Sequence, residues 1–498
     1  MKGCTVREKE FLKNRYSAII SASGYIFFIA GFLIVSPLLL LFVYPEETAL
    51  IWSFILPAVA LSLSGFILWS AFRPSRPVVL SVQEGGIIVF LSWSIVILFS
   101  ALPFVFAQKV DFSRAVFEAV SGWTTTGLSI LDVSKTSKLI LFWRSLMQLA
   151  GGAGLAVIMM SSIMGPAGIG VSSAEGRGDQ LVPHVRRSAR LVLVIYSIYA
   201  VVGVLAYHLA GMTVFDSVNH SFAAISTGGF STRAENIGYW NSVAVEAVSI
   251  PLMILGNLSF VTAWYLWRGR LKSVIRNGEV RLMAFLLPLS VALVFVFTCR
   301  ALYPHLGKAL RVSIFETVSA LTTTGFSTVF YTNWNSFGIF ILIIMMLIGG
   351  GTCSTAGGIK QFRVYFLWRQ TVWEIKRLLL PGSSVSERPV WEGENKVFVD
   401  DSRARQISVF IFIYLATYAV GTAILCCCGY SLQDSMFEFA SAIGTVGLSI
   451  GVTLPTMPDA ALWAETLAMF LGRLEFIVIF VSIIKIVADG RRMIKSER

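Results

Sequence analysis

Four short segments rich in threonine and glycine recur along the 498-residue chain, and their chemistry suits a cation. They read TTTGLS at 124–129, STGGFS at 226–231, TTTGFS at 322–327 and GTVGLS at 444–449. Their shared glycines, Gly127, Gly229, Gly325 and Gly447, are separated by 102, 96 and 122 residues. Glycine permits backbone angles that let carbonyl oxygens replace the hydration shell of an ion. The recurrence therefore predicts a fourfold ion-binding site.

The residues before each shared glycine also recur. Ten residues upstream lies Phe117, Phe315 or Phe437, with Asn219 in the second copy, and nine upstream lies Glu118, Glu316 or Glu438, with His220 in the second copy. The apolar stretch up to the glycine is long enough to cross only half a bilayer. It predicts a re-entrant half-helix. The glutamates have two interpretations. Either their negative charges interact favourably with the partly positive N-terminus of the half-helix, or they form a ring at the outer mouth that attracts cations.

A further apolar helix with its own shared glycine follows each segment. These glycines are Gly151, Gly256, Gly349 and Gly472, at 24, 27, 24 and 25 residues after the first glycine of each unit. The predicted fold is an all-α integral membrane protein of four parallel helix–pore loop–helix repeats around a central pore. Two extra N-terminal transmembrane helices occupy 1–80, and the repeats occupy 81–165, 188–268, 281–380 and 405–490, which gives ten spans.

Composition supports a membrane protein and sets its orientation. Hydrophobic residues make up 56% of the chain and charged residues 14%, against about one quarter charged in soluble domains. With a cytoplasmic N-terminus, the inner loops hold 30 of the 40 basic residues, as the positive-inside rule expects. The net charge of +12 therefore needs no nucleic-acid partner. The Thr/Gly segments then open to the outside of the cell.

The second helix of the third repeat is interrupted by a glycine-rich stretch. Residues 349–358 contain five glycines, each of which costs a helix roughly 1 kcal/mol relative to alanine. An irregular loop beneath the filter predicts a gate, whereas close packing of small residues is the alternative. The candidate gating residues are Gly349, Gly350, Gly351, Thr352, Ser354 and Gly357.

Arg473 lies at the corresponding place in the fourth repeat. A charge at this depth usually faces a cavity or a partner. We expect Arg473 to bond carbonyls of the loop near 350–355 and to oppose cations, with a structural pair to Glu475 as the alternative. Asn257, the counterpart in the second repeat, either contributes to gating or merely caps and packs. Arg144 lies near an outer helix end and is predicted to snorkel.

The whole pattern resembles the Trk/Ktr/HKT superfamily of potassium and sodium transporters, and the two leading helices make it most similar to the TrkH type. The resemblance implies potassium as the bound ion, because the leading filter residue is glycine in every repeat. The implied potassium-binding residues are Thr125, Thr126, Gly127, Thr227, Gly228, Gly229, Thr323, Thr324, Gly325, Thr445, Val446 and Gly447. It further implies a bacterial inner membrane, a homodimer and a cytoplasmic nucleotide-binding regulator ring of the TrkA type. The chain itself has no nucleotide-binding motif.

Alternatives from other classes remain. Coupled symport of potassium with protons or sodium would need a titratable group in the pathway, where we find only Arg473 and the glutamates. The ion-binding subunit of a potassium-pumping ATPase shares the fourfold plan. A membrane enzyme is disfavoured, because the chain shows no His/Cys/Asp cluster or nucleophile motif.

Overall fold

The computed structural model describes residues 2–74, 78, 80–154, 185–379, 389–392, 395–398 and 401–495. Over these residues the chain is nearly all helical, which confirms the predicted fold class. The exception among them is a short antiparallel pair of strands, Pro389–Glu392 and Asn395–Phe398, that the sequence did not predict. The end of the first predicted repeat, 155–165, lies outside the described residues.

Two long helices precede the repeats. They are Lys2–Val35 and Ile51–Ala71, joined by the 3₁₀ turns Ser36–Phe42 and Pro45–Leu50. A Cβ atom on Gly24 or Gly65 would approach backbone of the facing helix to under 3.0 Å. Small residues thus allow the two helices to pack in close contact, as in other membrane helix pairs.

Four units with the same order of elements follow. Each begins with a long first helix: Val82–Gln108, Val185–Leu209, Gly278–Val294 and Asp401–Cys427. A short pore helix comes next: Phe112–Trp123, Val214–Ile225, Leu306–Leu321 and Leu432–Ile443. A second helix closes the unit: Lys138–Ala153, Val243–Asn257, Ser336–Ile348 and Asp459–Leu474. In the third unit a π-helical turn, Phe295–Cys299, and the short helix Arg300–Leu302 extend the first helix.

Three of the pore helices begin at a side-chain cap and stop at a Thr/Gly segment. Asp111, Thr213 and Ser431 each accept a hydrogen bond from the backbone N–H three residues later. Such caps satisfy donors that a helix start otherwise leaves free. Twelve residues measure about 18 Å, which reaches only part of the way through a bilayer. The partly negative C-terminal ends therefore lie inside the membrane.

The second helices are broken in more units than the sequence predicted. Val243–Asn257 meets Phe260–Trp267 at 114°, and Asp459–Leu474 meets the following helix at 96°. In the third unit Ser336–Ile348 ends at Gly349, as predicted. A glycine run is therefore not required for a break. In the fourth unit the bend occurs at Glu475, whose φ of 61° is left-handed.

These breaks change the count of spans. Six described helices are long and apolar enough to cross a membrane, and the two bent pairs raise this number to eight. The ten predicted spans also include the second helices of the first and third repeats, which fall outside this number. Lys138–Ala153 and Ser336–Ile348, with 16 and 13 residues, measure only about 24 and 20 Å.

The remaining described elements connect or follow the units. They are the 3₁₀ turn Asn236–Tyr239 and the helices Phe260–Trp267, Leu271–Arg276, Gln361–Leu379 and Phe476–Lys495. The C-terminal halves of the pore helices are buried, with Trp123, Phe117 and Phe315 among the largest enclosed side chains. The Thr/Gly segments thus stand on an enclosed helical support rather than on exposed loops.

Candidate ion pathway

The four Thr/Gly segments adopt one backbone conformation. The threonine two residues before the shared glycine has a left-handed φ in every copy: 57° at Thr125, 53° at Thr227, 52° at Thr323 and 49° at Thr445. The φ angle of the shared glycine is also positive: 96° at Gly127, 69° at Gly229, 80° at Gly325 and 97° at Gly447. A non-glycine residue at such angles costs about 1–3 kcal/mol and persists where the surroundings enforce it. Four copies of the same strain indicate a functional geometry.

The segments close into a ring. Each shared glycine lies close to the next segment. A Cβ atom added to it would lie well under 3.0 Å from a carbonyl oxygen there, that of the residue just before the next shared glycine. The pairs are Gly127 with Gly228, Gly229 with Thr324, Gly325 with Val446, and Gly447 with Thr126. Each segment therefore contacts the next in chain order, and the fourth contacts the first. Non-helical backbone at this depth is tolerated only when it is enclosed or lines a wet cavity.

The ring can present oxygens to a cation at several levels. Every filter residue predicted from the sequence lies in it, at 125–127, 227–229, 323–325 and 445–447. The hydroxyls of Thr125 and Thr445 are buried and have no hydrogen-bond partner in the described structure. Those of Thr227 and Thr323 are bonded to the glycine-rich loop described below. Backbone carbonyls and threonine hydroxyls are hard oxygen ligands of the kind that alkali cations prefer.

A serine six residues before the shared glycine stabilises three of the segments. Ser121 Oγ donates to the Leu128 carbonyl at 2.6 Å and accepts from Gly127 N at 3.1 Å. Ser319 repeats the first bond and Ser441 repeats the second. The second repeat has Ala223 at this place. Burial of the turn requires partners for its backbone groups, and the serine supplies them.

Gln148 replaces the missing serine in the second repeat. Its amide nitrogen donates to the Gly228 carbonyl, and its amide oxygen accepts from Phe230 N at 3.2 Å. Gln148 belongs to the second helix of the first repeat and is fully buried. The sequence interpretation missed this residue. The signal that could have found it was the loss of the serine at Ala223.

The glutamates nine residues before the shared glycines, one in each repeat except the second, lie where neither interpretation placed them. Glu118, Glu316 and Glu438 are fully buried in the middle of the pore helices, so they form neither an N-terminal interaction nor a ring at the mouth. Glu118 accepts from Ser129 Oγ at 2.9 Å and from Ile130 N at 3.2 Å. They accept hydrogen bonds from the extended backbone just after the filter, whose buried N–H groups need acceptors.

The same support recurs in the other repeats. Glu438 accepts from Ser449 Oγ at 2.6 Å and from Ile450 N at 3.0 Å. Glu316 accepts from the backbone and hydroxyl of Thr328 at 2.8 and 2.7 Å. In the second repeat His220 Nε2 lies 2.9 Å from Ser231 Oγ. The acid or histidine thus fixes the outer half of each filter segment from behind.

Arg144 does not snorkel, contrary to its prediction. Its side chain is 2% exposed, and its Nε donates to Glu118 at 2.7 Å. The guanidinium also donates to the Ser231 carbonyl at 3.3 Å and lies 3.9 Å from the centre of the Phe230 ring. Arg144 therefore links the supports of the first and second filter segments. The sequence placed Arg144 too close to the membrane surface, because its partner Glu118 is 26 residues upstream and a local sequence pattern does not show the contact.

Replacing Arg144 with methionine should strongly destabilise the protein. Removing one partner of a buried ion pair leaves an uncompensated charge and costs about 3–5 kcal/mol. We expect a lower melting temperature in detergent and reduced ion uptake. Adding Glu118→Gln should restore part of the melting temperature, because the orphaned charge is gone.

The exposed pair of Lys135 and Asp132 is a matched control for this experiment. Lys135 Nζ lies 3.1 Å from Asp132 with 86% of the lysine side chain exposed. Lys135→Ala should leave the melting temperature unchanged, since exposed pairs contribute little. Equal melting temperatures for Arg144→Met and the parent would contradict a supporting role for the buried pair.

The glycine-rich loop lies directly beneath the ring. Gly357 N donates to Thr323 Oγ1 at 2.8 Å, and the hydroxyls of Thr355 and Thr227 are 3.1 Å apart. Thr355 Oγ1 also donates to the Gly256 carbonyl at 2.9 Å. The loop thus contacts the lower side of the second and third filter segments.

Other loop contacts hold its far side. Gly349 and Gly358 have positive φ values of 69° and 78° and approach each other, so the loop leaves and re-enters at one place. Gly350 N donates to the Gly357 carbonyl at 3.1 Å, and Ser354 Oγ donates to the Gly351 carbonyl at 2.6 Å.

Two residues outside the loop anchor it from the neighbouring helices. Gly351 N lies 3.2 Å from the Asn257 carbonyl and 3.3 Å from its side-chain oxygen. Thr352 N donates to Glu279 Oε1 at 2.7 Å. Asn257, left open between gating and packing, therefore contacts the loop itself. Glu279 was not identified from the sequence.

Arg473 joins the loop to the first repeat. Its guanidinium donates to the Thr355 carbonyl at 2.5 Å and to the Gly151 carbonyl at 2.7 Å. Glu475, the alternative partner, accepts a hydrogen bond from Arg363 at 2.8 Å. Lys360, two residues after the end of the loop, donates a hydrogen bond to the Ala356 carbonyl. A cavity below the loop is lined by Lys360, Arg363 and Arg473, with Glu475 among its walls.

The fold and this site define a multi-pass membrane protein in which four Thr/Gly segments close into a ring above a glycine-rich loop. The family model for TrkH, described as a cation transport protein, matches residues 54–493. The chain therefore belongs to the TrkH family of cation transport proteins.

Individual relatives agree over nearly full length. The chain is 30% identical to the Trk system potassium uptake protein TrkG of Escherichia coli, over 91% of this chain and 94% of that protein. It is 28% identical to an uncharacterised cation transporter of Methanocaldococcus jannaschii, over 97% and 98%. The crystal structure of the potassium transporter TrkH from Vibrio parahaemolyticus superposes with a TM-score of 0.82 at 25% identity, covering 94% of this chain and 98% of that one. The predicted location in a bacterial inner membrane fits the relatives in Escherichia coli and Vibrio parahaemolyticus and the six apolar helices.

Proposed function

We propose that this protein is a potassium-selective, channel-like uptake protein whose ions are coordinated by the backbone carbonyls of the four filter segments. The observation that carries the proposal is the closed ring in which each shared glycine contacts the carbonyl before the next one. Such a ring fixes the carbonyls around one axis and can replace the ion's hydration shell. Potassium uptake by the named relatives supports the choice of ion.

The loop at 349–358 acts as the gate in this proposal. It lies under the filter and is attached to Thr227, Thr323 and Arg473. Its glycines allow it to rearrange without breaking a helix. Opening requires these hydrogen bonds to be exchanged for water. A bond between neutral groups contributes a net of only about 0.5–1.5 kcal/mol, and one from the charged Arg473 about 1.5–3 kcal/mol. A modest signal from elsewhere can therefore move the loop.

Arg473 adds an electrostatic barrier to the loop's obstruction. Together with Lys360 and Arg363 it makes the cavity below the filter positive, while Glu475 offsets one of these charges. A positive charge in a low-dielectric pore opposes a passing cation. Withdrawal of Arg473 with the loop would remove the barrier and the obstruction in one movement.

A homodimer and a cytoplasmic ring of nucleotide-binding TrkA-type regulators belong to the same proposal. They rest on family resemblance and on the naming of relatives as parts of a Trk system. The bend between Asp459–Leu474 and the last helix gives a route from the inner face to Arg473, because the two helices meet beside it.

Uptake by a bacterium that lacks its own potassium systems tests the function. Expression of this chain should restore growth at low potassium, and rubidium should compete for uptake far better than sodium. Purified protein in vesicles should carry rubidium down its gradient. Uptake that sodium inhibits as well as rubidium does would contradict potassium selectivity. Rubidium accumulation that follows an imposed proton gradient would support the symport alternative.

A further inference from the structure

The fourth repeat contains a second buried acid behind its filter. Glu465 lies seven residues before Gly472, where the other repeats have Arg144, Ser249 and Leu342 before their own marker glycines. Glu465 and Glu438 are both fully buried. In the first repeat the supporting glutamate faces an arginine, whereas in the fourth it faces another carboxyl group.

A single hydroxyl group lies between the two acids. Thr453 Oγ1 contacts Glu438 Oε1 and lies 3.1 Å from Glu465 Oε2. Glu438 also accepts from Ser449 Oγ, Ile450 N and Thr453 N. All of these donors belong to the segment that follows the fourth filter glycine. The other oxygen of Glu465 has no hydrogen-bond partner among the residues that the structure describes.

Counting hydrogens assigns the charge state. A threonine hydroxyl has one hydrogen and can donate to one carboxylate only. If that hydrogen goes to Glu438, the contact with Glu465 requires a hydrogen from Glu465 itself. A neutral acid there also lowers the cost of its unpaired oxygen, because burying an unpaired charge is far more costly than burying a carbonyl.

The surroundings supply no compensating cation among the described residues. Tyr430, which precedes the pore helix, is the titratable group that interacts with both acids, and Cys428 interacts with Tyr430. Tyr418 of the first helix donates to the Met436 carbonyl. Arg114 pairs with Asp459 at the start of the second helix, and Arg473, near the end of that helix, donates to the Thr355 carbonyl. Two carboxylates sharing one site cannot both ionise without a large penalty.

We propose that Glu465 is a proton-binding site that makes transport depend on pH. With the proton bound, Glu465 donates to Thr453, Thr453 donates to Glu438, and Glu438 holds Ser449 and Ile450 just after Gly447. When the proton leaves to water, two carboxylates compete for the single Thr453 hydrogen and repel each other. The segment at 448–453 then loses its fixed position, and the fourth quarter of the ring with it. Transport therefore falls as the pH rises.

The test compares Glu465→Gln with the parent and with Glu235→Gln. Glutamine keeps a donor for Thr453 and cannot ionise, while Glu235 is an exposed carboxyl on the outer loop of the second repeat. Rubidium flux is measured in vesicles from mildly acidic to alkaline pH. The two forms of one carboxyl change in ratio about tenfold per pH unit. We expect the parent and Glu235→Gln to lose flux on the alkaline side, and Glu465→Gln to keep its acidic-side flux throughout.

Infrared difference spectroscopy of the purified protein tests the site without any transport. The spectrum between acidic and alkaline pH should show a protonated-carboxyl C=O band that Glu465→Gln lacks and Glu235→Gln retains. A band that persists in Glu465→Gln, or a pH profile that this variant shares with the parent, would overturn the proposal. Absence of potassium flux at every pH would count against the proposed function, while the infrared result would still decide the proton site.

Discussion

Replacing Arg473 with alanine is expected to raise the basal flux of potassium at least about tenfold. The change removes the guanidinium bonds to Thr355 and Gly151 together with one positive charge below the filter. Hydrogen bonds from a charged donor contribute about 1.5–3 kcal/mol each, and a barrier lowered by about 1.4 kcal/mol gives a tenfold faster rate. The measurement is rubidium efflux from vesicles without any regulator added.

Two further variants separate the charge from the attachment of the loop. Arg473→Lys keeps the positive charge but loses the fork that reaches two carbonyls at once. Arg363→Ala removes a charge from the same cavity without detaching the loop, because Arg363 bonds Glu475 and the Ile359 carbonyl. We expect Arg473→Lys to leak at an intermediate rate and Arg363→Ala to leak least. Flux from Arg473→Ala at or below the parental level, in protein of unchanged melting temperature, would rule out the barrier.

The repeats could be identified from the sequence because their constraint is local. A positive φ and a contact with the next carbonyl leave no room for a side chain, so glycine stands at 127, 229, 325 and 447 whatever surrounds it. The fold class followed from the length and apolarity of the helices. Both kinds of information lie within a short window of residues.

What the sequence did not predict depends on partners that are distant in the chain. Arg144 looked like an exposed residue near a helix end, and only its packing against Glu118 and Phe230 places it in the interior. Gln148 serves a filter segment 80 residues downstream. The bend at Glu475 has no glycine run to announce it. Each of these features depends on tertiary contacts, so the periodicity of a single sequence could not detect it.

The asymmetry among the repeats follows the same logic. Seven residues before the marker glycine, the first repeat has Arg144, the third Leu342 and the fourth a second acid, Glu465, while the second repeat has His220 in place of the supporting glutamate. The filter conformation is nevertheless the same in all four. The supports can therefore vary and acquire separate tasks, provided that each supplies acceptors for the backbone after the glycine.

Replacing Gly325 with alanine is expected to abolish potassium-selective uptake. Its φ is 80°, and an added Cβ would lie well under 3.0 Å from the Val446 carbonyl oxygen and close to Gly447 Cα. Those atoms are filter backbone and cannot move aside as a flexible side chain would. One methyl group therefore displaces the carbonyls of two repeats. We expect rubidium uptake to fall at least about a hundredfold, since the loss of about 2.7 kcal/mol of ion coordination is enough for that.

Gly307→Ala is the matched control, because it makes the same change in the pore helix that leads to the segment containing Gly325. Apart from the backbone of its own helix, no atom of the described residues lies within 4 Å of a Cβ built there, and its φ is not in the left-handed range. Uptake should be unaffected in this variant. Parental uptake and parental exclusion of sodium in Gly325→Ala would refute the carbonyl ring as the selective element. A folded Gly325→Ala protein that conducts sodium as readily as rubidium would give a different result. The methyl group changes the carbonyl positions but leaves the enclosing helices in place. Selectivity would then depend on the ring, and conduction on the wider pore.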